Sequence, residues 1–515
     1  MSITYADLVA TAFSRHRDSI AFVQDGRQLS YGAAGDLVGR LVRALSDRGV
    51  TKGTGVAVLA PPRPEAWLAM AATHILGARF TALHPLGSLE DHLFVCDDAE
   101  IDTVLIDMTA YAQRGAELRD RAASLRQLLS IGPSSDALDV LALAAGCSPA
   151  PLAPAVDEGD PCQVLYTGGT TGRPKGVVLS HRSFATMVLT ALAEWEIPDE
   201  VRYLAASPIT HAAGTLVVPV LLRGGTVHLH SAFDPSRYLD TIARERITFC
   251  FGVPAMVYAL LAHPALETTD TTSLRTFVYA GSPMSPARLE QALARIGPVF
   301  LQFYGQTEST ALGTVLHRRD HDPTIPGRLT SCGQPVACVR LQLQDDDGAQ
   351  VAAGDIGEIC LQGPSVMDGY WRQSELTAET LRGGWLHTGD MATRDDDGFL
   401  TIVDRKKDMV VSGGFNVFPR EIEDVLTAHP AVATAAVIGV PDDTWGEAVK
   451  AIVVVRADAG VSAGELIELV RERKGPVYAP KSVDFVDAIA LTPVGKPDKR
   501  ALRARHWAGQ ERLVH

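Results

Sequence analysis

The 515-residue chain lacks the sequence features of several protein classes. Its seven cysteines are scattered and include no Cys-x-x-Cys pair, which argues against a zinc site or a disulfide framework and predicts reduced, mostly buried thiols. The net charge of −14 argues against a general affinity for nucleic acid or for an anionic membrane surface. The longest apolar run, Leu216 to Leu222, contains Pro219 and is far too short to span a membrane.

The first residues also lack the order of a secretory signal, which is a basic segment followed by an apolar one. They read Met-Ser-Ile-Thr-Tyr-Ala-Asp and carry an early acid instead. Together with the cysteine usage, this predicts a cytoplasmic protein. The chain is too long for one hydrophobic core, and its length predicts about three structural units.

One short stretch of the chain is unusually rich in glycine and threonine. It reads Thr-Gly-Gly-Thr-Thr-Gly-Arg-Pro-Lys-Gly from Thr167 to Gly176 and follows a short apolar run. Glycine allows backbone N–H groups to approach a ligand, and N–H groups, hydroxyls and a lysine together form a concavity for anionic oxygens. The stretch therefore predicts a phosphate site, because an ordinary surface turn does not require this density of donors.

The spacing of this loop differs from that of the common nucleotide loops. A Walker loop requires Gly-x-x-x-x-Gly-Lys-Ser/Thr at the start of a helix. Here Arg173 and Pro174 separate Gly172 from Lys175, and a Val-Val-Leu run follows. The Rossmann pattern Gly-x-Gly-x-x-Gly is also absent at this point. We therefore expect the loop to lie between two strands and to close over a phosphate like a flap.

Strand and helix patterns alternate before and after this loop. Apolar runs predict strands at 248–253, 276–280 and 299–303, with helices at 254–262 and 286–296. Strands separated by helices form parallel units, and ligands bind outside the carboxyl ends of such strands. Residues 132–162 fit a loop region, because they are rich in Ala, Pro, Ser and Asp.

The pattern changes in the last third of the chain. Short strands with Asp-Gly turns predict a small β subdomain at about 330–405. The following residues predict an independent α+β module of about a hundred residues. In this module Pro419 opens an amphipathic helix, and Ser462 with Glu465 forms a capping box at the start of another.

Four further motifs carry groups suited to a nucleotide. In the first, an aromatic ring can stack on a base, Thr307 can bind a phosphate oxygen and Glu308 can hold a magnesium ion. In the second, an aspartate can accept hydrogen bonds from the ribose hydroxyls. Taken singly, the four also fit a buried loop tyrosine, a turn aspartate, a solvated charge run and a surface lysine. The motifs are Gln302-Phe303-Tyr304-Gly305-Gln306-Thr307-Glu308-Ser309, Thr388-Gly389-Asp390, Asp404-Arg405-Lys406-Lys407-Asp408 with Ser412-Gly413-Gly414, and Pro493-Val494-Gly495-Lys496.

Together and in this order, the five motifs resemble the adenylate-forming superfamily of acyl-CoA synthetases, adenylation domains and luciferases. The resemblance covers essentially the whole chain, and the Thr167–Gly176 motif is among the most specific short motifs in protein sequences. It implies an α/β fold with a large N-terminal domain at 1–405, built of two mixed sheets with flanking helices and a small β-barrel. It also implies a small mobile α+β domain at 406–515 that carries a catalytic lysine.

The resemblance implies a two-step reaction. A carboxylate attacks the α-phosphate of ATP to give acyl-AMP and pyrophosphate, and a thiol then displaces AMP. Because two anions must meet in the first step, positive charge and backbone donors have to neutralise the transition state. The implied ligands are a small carboxylic acid, ATP, Mg²⁺ and CoA.

The resemblance also assigns roles to residues of this sequence. Lys496, Glu308, Thr167, Lys175 and His211 are the expected catalytic residues. Lys496 bridges the carboxylate and the α-phosphate, and Lys407 is the hinge about which Gly413 and Gly414 reach the active site for thioester formation. Glu308 is expected to bind Mg²⁺. The residues expected to bind the phosphates are Thr167, Gly168, Gly169, Thr170, Thr171, Gly172, Lys175 and Thr307. Adenine is expected between Tyr304 and the segment Ala280, Gly281 and Ser282, and the ribose at Asp390 and Arg405. Further cofactor-binding residues are expected at Gln302, Phe303 and Gly305.

The motifs define the acceptor thiol less closely. Trp445 matches an element that contacts CoA in some ligases, whereas Val477-Tyr478-Ala479-Pro480-Lys481 departs from the Phe-Lys-x-Pro-Lys of many relatives. With no carrier domain after the lysine motif, we expect a stand-alone enzyme. A CoA ligase is the favoured interpretation, and loading of a carrier-protein pantetheine is the alternative. The sequence allows a homodimer without predicting one.

A catalytically silent binding protein is disfavoured, since Lys496, Glu308 and Lys175 are all present. The segment Ser-Pro-Ile-Thr-His-Ala-Ala-Gly at 207–214 matches the acyl-gate region and places His211 at the pocket mouth. It contains no aspartate that could pair with the ammonium of an amino acid. Fatty, aryl and polycyclic acids remain open, because small residues predict a roomy apolar pocket. These are Gly214, Gly281, Ala311 and Gly313.

Overall fold

The computed structural model of the chain describes residues 3–167, 174–412, 415–442, 445–457, 459–492 and 497–507. Its helices within these ranges are α1 (Tyr5–Ser14), α2 (Tyr31–Ser46), α3 (Pro64–Ile75), α4 (Leu89–Asp98), α5 (Met108–Arg121), α6 (Val140–Ala145), α7 (His181–Glu194), α8 (Ala212–Thr215), α9 (Val217–Leu222), α10 (Pro235–Arg244), α11 (Pro254–Ala262), α12 (Pro286–Arg295), α13 (Ser374–Thr380), α14 (Pro419–Thr427), α15 (Ala463–Lys474) and α16 (Lys499–Ala504).

The strands within the same ranges form four sheets. They are β1 (Ile20–Gln24), β2 (Arg27–Ser30), β3 (Gly55–Leu59), β4 (Arg79–Ala82), β5 (Ile101–Ile106), β6 (Gln127–Ser130), β7 (Leu138–Asp139), β8 (Pro161–Thr167), β9 (Lys175–Ser180), β10 (Arg202–Ala205), β11 (Thr226–Leu229), β12 (Phe249–Gly252), β13 (Thr276–Tyr279), β14 (Phe300–Tyr304), β15 (Thr314–Leu316), β16 (Gln334–Pro335), β17 (Arg340–Gln344), β18 (Gly357–Gln362), β19 (Gly369–Tyr370), β20 (Leu386–Arg394), β21 (Leu400–Arg405), β22 (Val410–Ser412), β23 (Phe415–Val417), β24 (Val432–Asp442), β25 (Gly446–Val455) and β26 (Ser482–Phe485).

Two large mixed sheets form the framework of the N-terminal part. One has the order β16-β15-β14-β13-β12-β10-β11-β1-β2, and the other has the order β19-β9-β8-β4-β3-β5-β6-β7. Helices α1, α3, α7 and α9 share one large apolar core with strands of both sheets. Strands β10 to β14 run parallel, so the predicted βαβ units are confirmed. Their carboxyl ends therefore lie along one edge, where a ligand is expected.

The predicted bounds of these elements agree closely with the structure. The helix expected at 254–262 coincides with α11. The strand expected at 276–280 is one residue longer than β13, and the strand expected at 299–303 differs from β14 by one residue at each end. The loop expected at 132–162 is wrong in part, because it contains α6. The Asp139 carboxylate accepts a hydrogen bond from Leu141 N at 2.9 Å and caps this helix, while Val140 is fully buried.

A smaller antiparallel sheet, β17-β18-β20-β21, corresponds to the predicted β subdomain. Its last two strands pair so that Asp390 lies opposite Arg405. Cross-strand neighbours on one face of an antiparallel pair are close enough for their side chains to interact. The pairing thus brings together two predicted nucleotide residues, and β21 ends where the small domain is predicted to begin. The boundary between residues 405 and 406 remains a prediction.

The C-terminal part is an α+β unit, as predicted. Strands β23, β22, β25 and β24 form an antiparallel sheet with β26 parallel to β25, and α14 and α15 contribute to its apolar core. The capping box is confirmed: Glu465 N donates to Ser462 Oγ at 3.2 Å, and Ser462 N donates to Glu465 Oε2 at 2.8 Å. Within the described residues, no helix combines the length and apolarity that crossing a bilayer requires.

Trp195 provides a test of the core next to the predicted nucleotide residues. Its ring is completely buried and stacks on Phe303, with the ring centres 4.5 Å apart. We expect Trp195→Ala to lower the free energy of unfolding of the N-terminal part by about 3–5 kcal/mol, because it removes this contact and leaves a cavity. Urea unfolding followed by circular dichroism measures the loss. Trp195→Phe retains an aromatic ring, so its free energy of unfolding should fall clearly less than that of Trp195→Ala. An alanine variant as stable as the wild type would contradict the assignment.

Candidate functional site

The glycine-rich loop connects two antiparallel strands, as the spacing predicts. Strand β8 ends at Thr167, β9 begins at Lys175, and these two residues lie opposite each other in the pairing. A Walker loop leads into a helix, and this one leads into a strand. The loop residues predicted to hold phosphate, Gly168, Gly169, Thr170, Thr171 and Gly172, lie outside the described residues.

One tyrosine contacts both the lysine at the start of β9 and the predicted metal-binding acid. Lys175 Nζ is 5.3 Å from the centre of the Tyr370 ring, and Tyr370 OH donates a hydrogen bond to Glu308 Oε1 at 2.9 Å. Burial and the Glu308 carboxylate raise the pKa of Tyr370, so its hydroxyl stays protonated. Tyr370 is absent from the predicted site, because it is 62 residues from Glu308 along the chain.

Asp390 is the centre of a second cluster. Its buried carboxylate accepts hydrogen bonds from Tyr304 OH at 2.7 Å and from Gln306 Nε2 at 2.7 Å through Oδ2. Its other oxygen, Oδ1, accepts from Arg405 Nε at 3.1 Å. Three of these residues have predicted roles at the nucleotide, and Gln306 is an addition. The fold therefore brings together Tyr304, Asp390 and Arg405.

The charges of this cluster support one another. The Asp390 carboxylate raises the pKa of the Arg405 guanidinium further above its ordinary value. Burial, and then the same carboxylate, raises the pKa of Tyr304, so the phenol remains a donor. An ionised carboxylate offers about four acceptor positions, so three donors leave capacity for a further one. This arrangement fits a carboxylate that is held ready for a ligand hydroxyl.

A buried glutamate supports the irregular part of β20 that carries Asp390. Glu358 Oε1 accepts a hydrogen bond from Gly389 N at 2.9 Å, and Glu358 Oε2 lies 3.2 Å from His387 Nδ1. The Cys360 sulfur lies 3.3 Å from the same His387 nitrogen. Glu358, Cys360 and His387 are thus three neighbouring side chains of types that can bind a metal ion. However, the Arg382 guanidinium lies 3.3 Å from Glu358 Oε2 and already supplies positive charge there. The cluster therefore supports this part of β20.

Strand β14 presents its predicted residues in different directions. Gln302 accepts a hydrogen bond from Tyr279 OH at 3.1 Å within the interior, and Phe303 packs on Trp195 in the core. Tyr304 alone of these three joins the Asp390 cluster. The nucleotide contacts assigned to Gln302 and Phe303 remain predictions. The turn Ala280-Gly281-Ser282 follows β13, the parallel neighbour of β14, and so lies at the same sheet edge.

Close backbone approach explains several of the glycines in this region. A Cβ on Gly305 would lie 2.3 Å from the carbonyl carbon of Ala311, and one on Gly313 would lie 2.9 Å from Tyr304 O. A Cβ on Gly214 would lie 1.8 Å from Ile209 O. Gly214 and Gly313 are therefore small because backbone passes next to them, and they do not indicate a roomy pocket.

Gly281 differs from these glycines. Among the described residues, the only atom within 4 Å of a Cβ there would be Val253 Cγ1, at 3.6 Å. Its φ of 89° is the reason that glycine is favoured. The space in front of the Ala280-Gly281-Ser282 turn is thus open to a ligand.

The predicted acid-site histidine lies against a second histidine that the motifs do not identify. The rings of His211 and His84 meet edge to face with their centres 5.0 Å apart, and His211 Nδ1 is 3.0 Å from Thr210 Oγ1. Burial, followed by the neighbouring His84, lowers the pKa of His211 to about 3, and burial lowers that of His84. Both imidazoles are therefore neutral at physiological pH.

The remaining predicted residues are spread over the chain. Thr307 begins a short 3₁₀ turn that includes Glu308. The exposed Trp445 ring has Lys481 Nζ 5.0 Å from its centre, so one aromatic ring and one cation lie together on the C-terminal part. Lys407 lies in a short 3₁₀ turn at the start of this part. Gly413, Gly414 and Lys496 lie outside the described residues.

Comparisons with known proteins agree along most of the chain. A family model described as AMP-binding enzyme matches residues 9–371, and one described as AMP-binding enzyme C-terminal domain matches residues 421–496. The medium/long-chain-fatty-acid–CoA ligase FadD8 of Mycobacterium tuberculosis is 45% identical over 98% of this chain and 91% of its own. A feruloyl-CoA synthase of a Streptomyces species is 40% identical over 93% of this chain and 94% of its own.

A solved structure is similar throughout. The amide bond synthetase McbA of Marinactinospora thermotolerans superimposes with a TM-score of 0.90, is 34% identical, and covers 97% of this chain and 99% of its own. The predicted fold class, a large α/β domain of mixed sheets with a small C-terminal domain, is thereby confirmed.

The low pKa of His211 has a testable effect on stability. Below about pH 6.5 the unfolded chain protonates this histidine and the folded chain does not, so its contribution to stability is present above that pH and is lost as pH falls. We expect the free energy of unfolding to fall between pH 7 and pH 5 by about 2 kcal/mol less in His211→Asn than in the wild type. Urea unfolding at the two pH values measures the difference. His16→Asn, at an exposed histidine, is the matched control. Identical pH dependence of His211→Asn and wild type would refute the assignment.

Proposed function

Since this chain belongs to the family of AMP-binding enzymes, we propose that the clusters around Asp390 and Glu308 form its nucleotide site. The protein is an ATP-dependent carboxylate–CoA ligase, which activates an acid as acyl-AMP with release of pyrophosphate and then forms the acyl-CoA thioester. ATP, CoA and a small carboxylic acid are its substrates. The observation that carries the residue assignment is the buried Asp390 carboxylate with its three donors.

In this proposal the nucleotide lies along the carboxyl edge of β13 and β14. Asp390 and Arg405 bind the ribose, since the carboxylate is held in place and keeps acceptor capacity for a hydroxyl. Adenine lies between the Tyr304 ring and the open turn at Gly281. Thr167 and Lys175 receive the phosphates at the two ends of the glycine-rich loop, where donors and a cation neutralise charge.

The first chemical step depends on Lys496 of the C-terminal domain. Its ammonium bridges the acid carboxylate and the α-phosphate, because two anions approach each other only if the charge between them is compensated. We place the domain boundary between residues 405 and 406, with Lys407 as the hinge. Rotation there withdraws Lys496 and brings the segment of Gly413 and Gly414 to the site for thioester formation.

The surroundings of Glu308 fit a magnesium ion. The side chain is half-buried, one of its oxygens accepts from Tyr370, and within the described residues it forms no ion pair within 4 Å. Mg²⁺ in nucleotide enzymes is commonly held by one or two carboxylates together with substrate phosphates. When bound, the ion would neutralise phosphate charge. Glu308 is the residue that would hold it, and Tyr370 orients the carboxylate.

We propose an apolar acid as the physiological substrate. The named relatives act on medium or long fatty acids and on ferulate, which share an apolar body attached to a carboxylate. The neutral pair His84 and His211 adds an uncharged aromatic wall at the predicted pocket mouth. No aspartate lies in the 207–214 segment to bind an ammonium, which disfavours amino acids.

CoA is the acceptor, and a carrier-protein pantetheine is the less supported alternative. Trp445 with Lys481 offers a ring and a cation of the kind that a CoA nucleotide requires. The similarity to an amide bond synthetase makes an amine a useful comparison in the same assay. We further propose a cytoplasmic location, which the seven unpaired cysteines support.

Pyrophosphate release tests the reaction and the acid class. We expect release with ATP, Mg²⁺ and an apolar acid, and an acyl-CoA product in mass spectra once CoA is added. Fatty acids of several lengths, ferulate and an amino acid form the panel, and holo carrier protein and an amine replace CoA in parallel reactions. Lys496→Ala should lower pyrophosphate release by about 100-fold or more, because one preorganised charge contributes that much to such a transition state.

Two outcomes of this assay would refute the proposal. If CoA consumes no acyl-AMP with any acid of the panel while carrier protein or amine does, the acceptor is wrong. If Lys496→Ala keeps the wild-type rate, the role of that lysine is wrong.

The metal assignment predicts a change in magnesium requirement. Glu308→Gln keeps an oxygen that can accept from Tyr370 but removes the charge, so we expect the Mg²⁺ concentration for half-maximal pyrophosphate release to rise about tenfold or more. A Mg²⁺ titration at saturating ATP measures this shift. Glu290→Gln, an exposed change on α12, is the matched control. Equal Mg²⁺ requirements in both variants would exclude Glu308 as the ligand.

A further inference from the structure

A buried lysine next to the lysine motif has no role in the proposal above. Lys499, the first residue of α16, is three positions after Lys496, and its side chain is only 15% exposed. Its Nζ lies 2.8 Å from Glu423 Oε1, which is itself 19% exposed and belongs to α14. The neighbouring Arg500 is exposed, so the chain offers two adjacent cations in opposite environments.

The charge of Lys499 is held by more than one carboxylate. Burial alone would lower the pKa of Lys499, but the charges of Glu423, Asp404 and Asp408 outweigh it and raise the pKa above its ordinary value. Asp404 lies on β21, just before the proposed hinge, and its Oδ2 accepts a hydrogen bond from Arg420 N at 2.9 Å. Lys499 Nζ therefore contacts the Glu423 carboxylate directly and is influenced by the charges of two further carboxylates.

The partners of Lys499 are themselves fixed. Glu423 Oε1 also accepts a hydrogen bond from Val437 N of β24 at 2.7 Å. At the other end of α16, the Arg503 guanidinium lies 2.7 Å from Asp408 Oδ1, and Leu502 is buried in an apolar cluster. Helix α16 is thus attached at both ends by ion pairs and in the middle by packing.

The lysine motif is joined directly to this helix. Leu491 and Pro497 pair as an isolated bridge, and Asp498 N donates to Ala490 O at 2.7 Å. These contacts join the described residues that flank the lysine motif, Leu491 before it and Pro497 after it. Lys499 follows Pro497 by two residues, so the position of Pro497, which directly follows Lys496 in the chain, depends on where Lys499 is held.

We propose that Lys499 is a positioning residue for acid activation: its ion pair with Glu423 attaches the backbone that follows Lys496 to helix α14. This inference rests on the role proposed for Lys496 in the first step. Misplacement of a catalytic group by about 1 Å costs about 100-fold in rate. Loss of Lys499 therefore slows the step that uses Lys496 and spares the step from which Lys496 is withdrawn.

The two half-reactions, measured separately in the full-length enzyme, test the proposal. The first is acid-dependent exchange of pyrophosphate into ATP, and the second is acyl-CoA formation from synthetic acyl-adenylate, both with the best acid of the panel. We expect Lys499→Met to lower kcat of the exchange by about 10- to 100-fold, with KM for ATP changed less than about twofold. Acyl-CoA formation from the acyl-adenylate should stay within about twofold of wild type.

Matched variants separate positioning from folding. Lys499→Arg keeps the charge and should recover most of the exchange rate, whereas Arg500→Met should resemble wild type. Glu423→Gln should reproduce the loss, and the double variant with Lys499→Met should be no worse than either single one, because both remove the same contact. The melting temperature of each variant is recorded alongside.

Each outcome bears on a different claim. An exchange rate in Lys499→Met equal to that of Arg500→Met would overturn the inference. Equal losses in both half-reactions, with a lowered melting temperature, would also overturn it and indicate a structural role. Wild-type exchange in Lys496→Ala would instead refute the proposed function. An inactive Lys496→Ala beside an active Lys499→Met would leave that function intact and refute only the positioning role.

Discussion

The site depends on the hydrogen bonds that satisfy one buried carboxylate, because a buried polar group without partners is costly. Donors reach Asp390 from three segments: Tyr304 at the end of β14, Gln306 in the following turn, and Arg405 on β21. Tyr304 belongs to the nine-stranded sheet, and Asp390 and Arg405 belong to the four-stranded sheet. The same bonds that stabilise the carboxylate therefore join two sheets at the edge where the nucleotide is proposed to bind.

A second connection links this edge to the eight-stranded sheet. Strand β19 pairs with β9, Met367 N donates to Glu308 O at 2.8 Å, and Tyr370 OH donates to the Glu308 carboxylate. Lys175, at the end of the glycine-rich loop, consequently lies near the proposed metal-binding acid. Cationic and anionic groups from separate parts of the chain thus converge where phosphates are expected. The ion pair of Lys499 with Glu423 likewise joins separate elements of the C-terminal part.

Local patterns in the sequence predicted much of the framework and some of the site. Helix α11 and strands β13 and β14 were predictable because their apolar periodicity and terminal prolines are local properties. Helix α6 was missed, since an alanine-rich segment shows little polar contrast and Asp139 alone indicates its start. Gly214 and Gly313 were misinterpreted, because a glycine beside passing backbone and a glycine beside an empty pocket look the same in a sequence. His84 carries no motif, and only its contact with His211 identifies it.

The sequence by itself determined the chemistry: the phosphate-type loop, the aspartate, arginine and lysine of the nucleotide motifs, and the family to which they belong. Those are properties of residue type and short spacing, which folding does not change. Only the tertiary structure decided which groups meet. Tyr304 and Asp390 are 86 residues apart, and Tyr370 and Glu308 are 62 apart. The sequence contains many hydroxyl and amide donors of the same chemistry. Strand order and burial decide which of them reaches a given carboxylate, and both depend on how the whole chain packs.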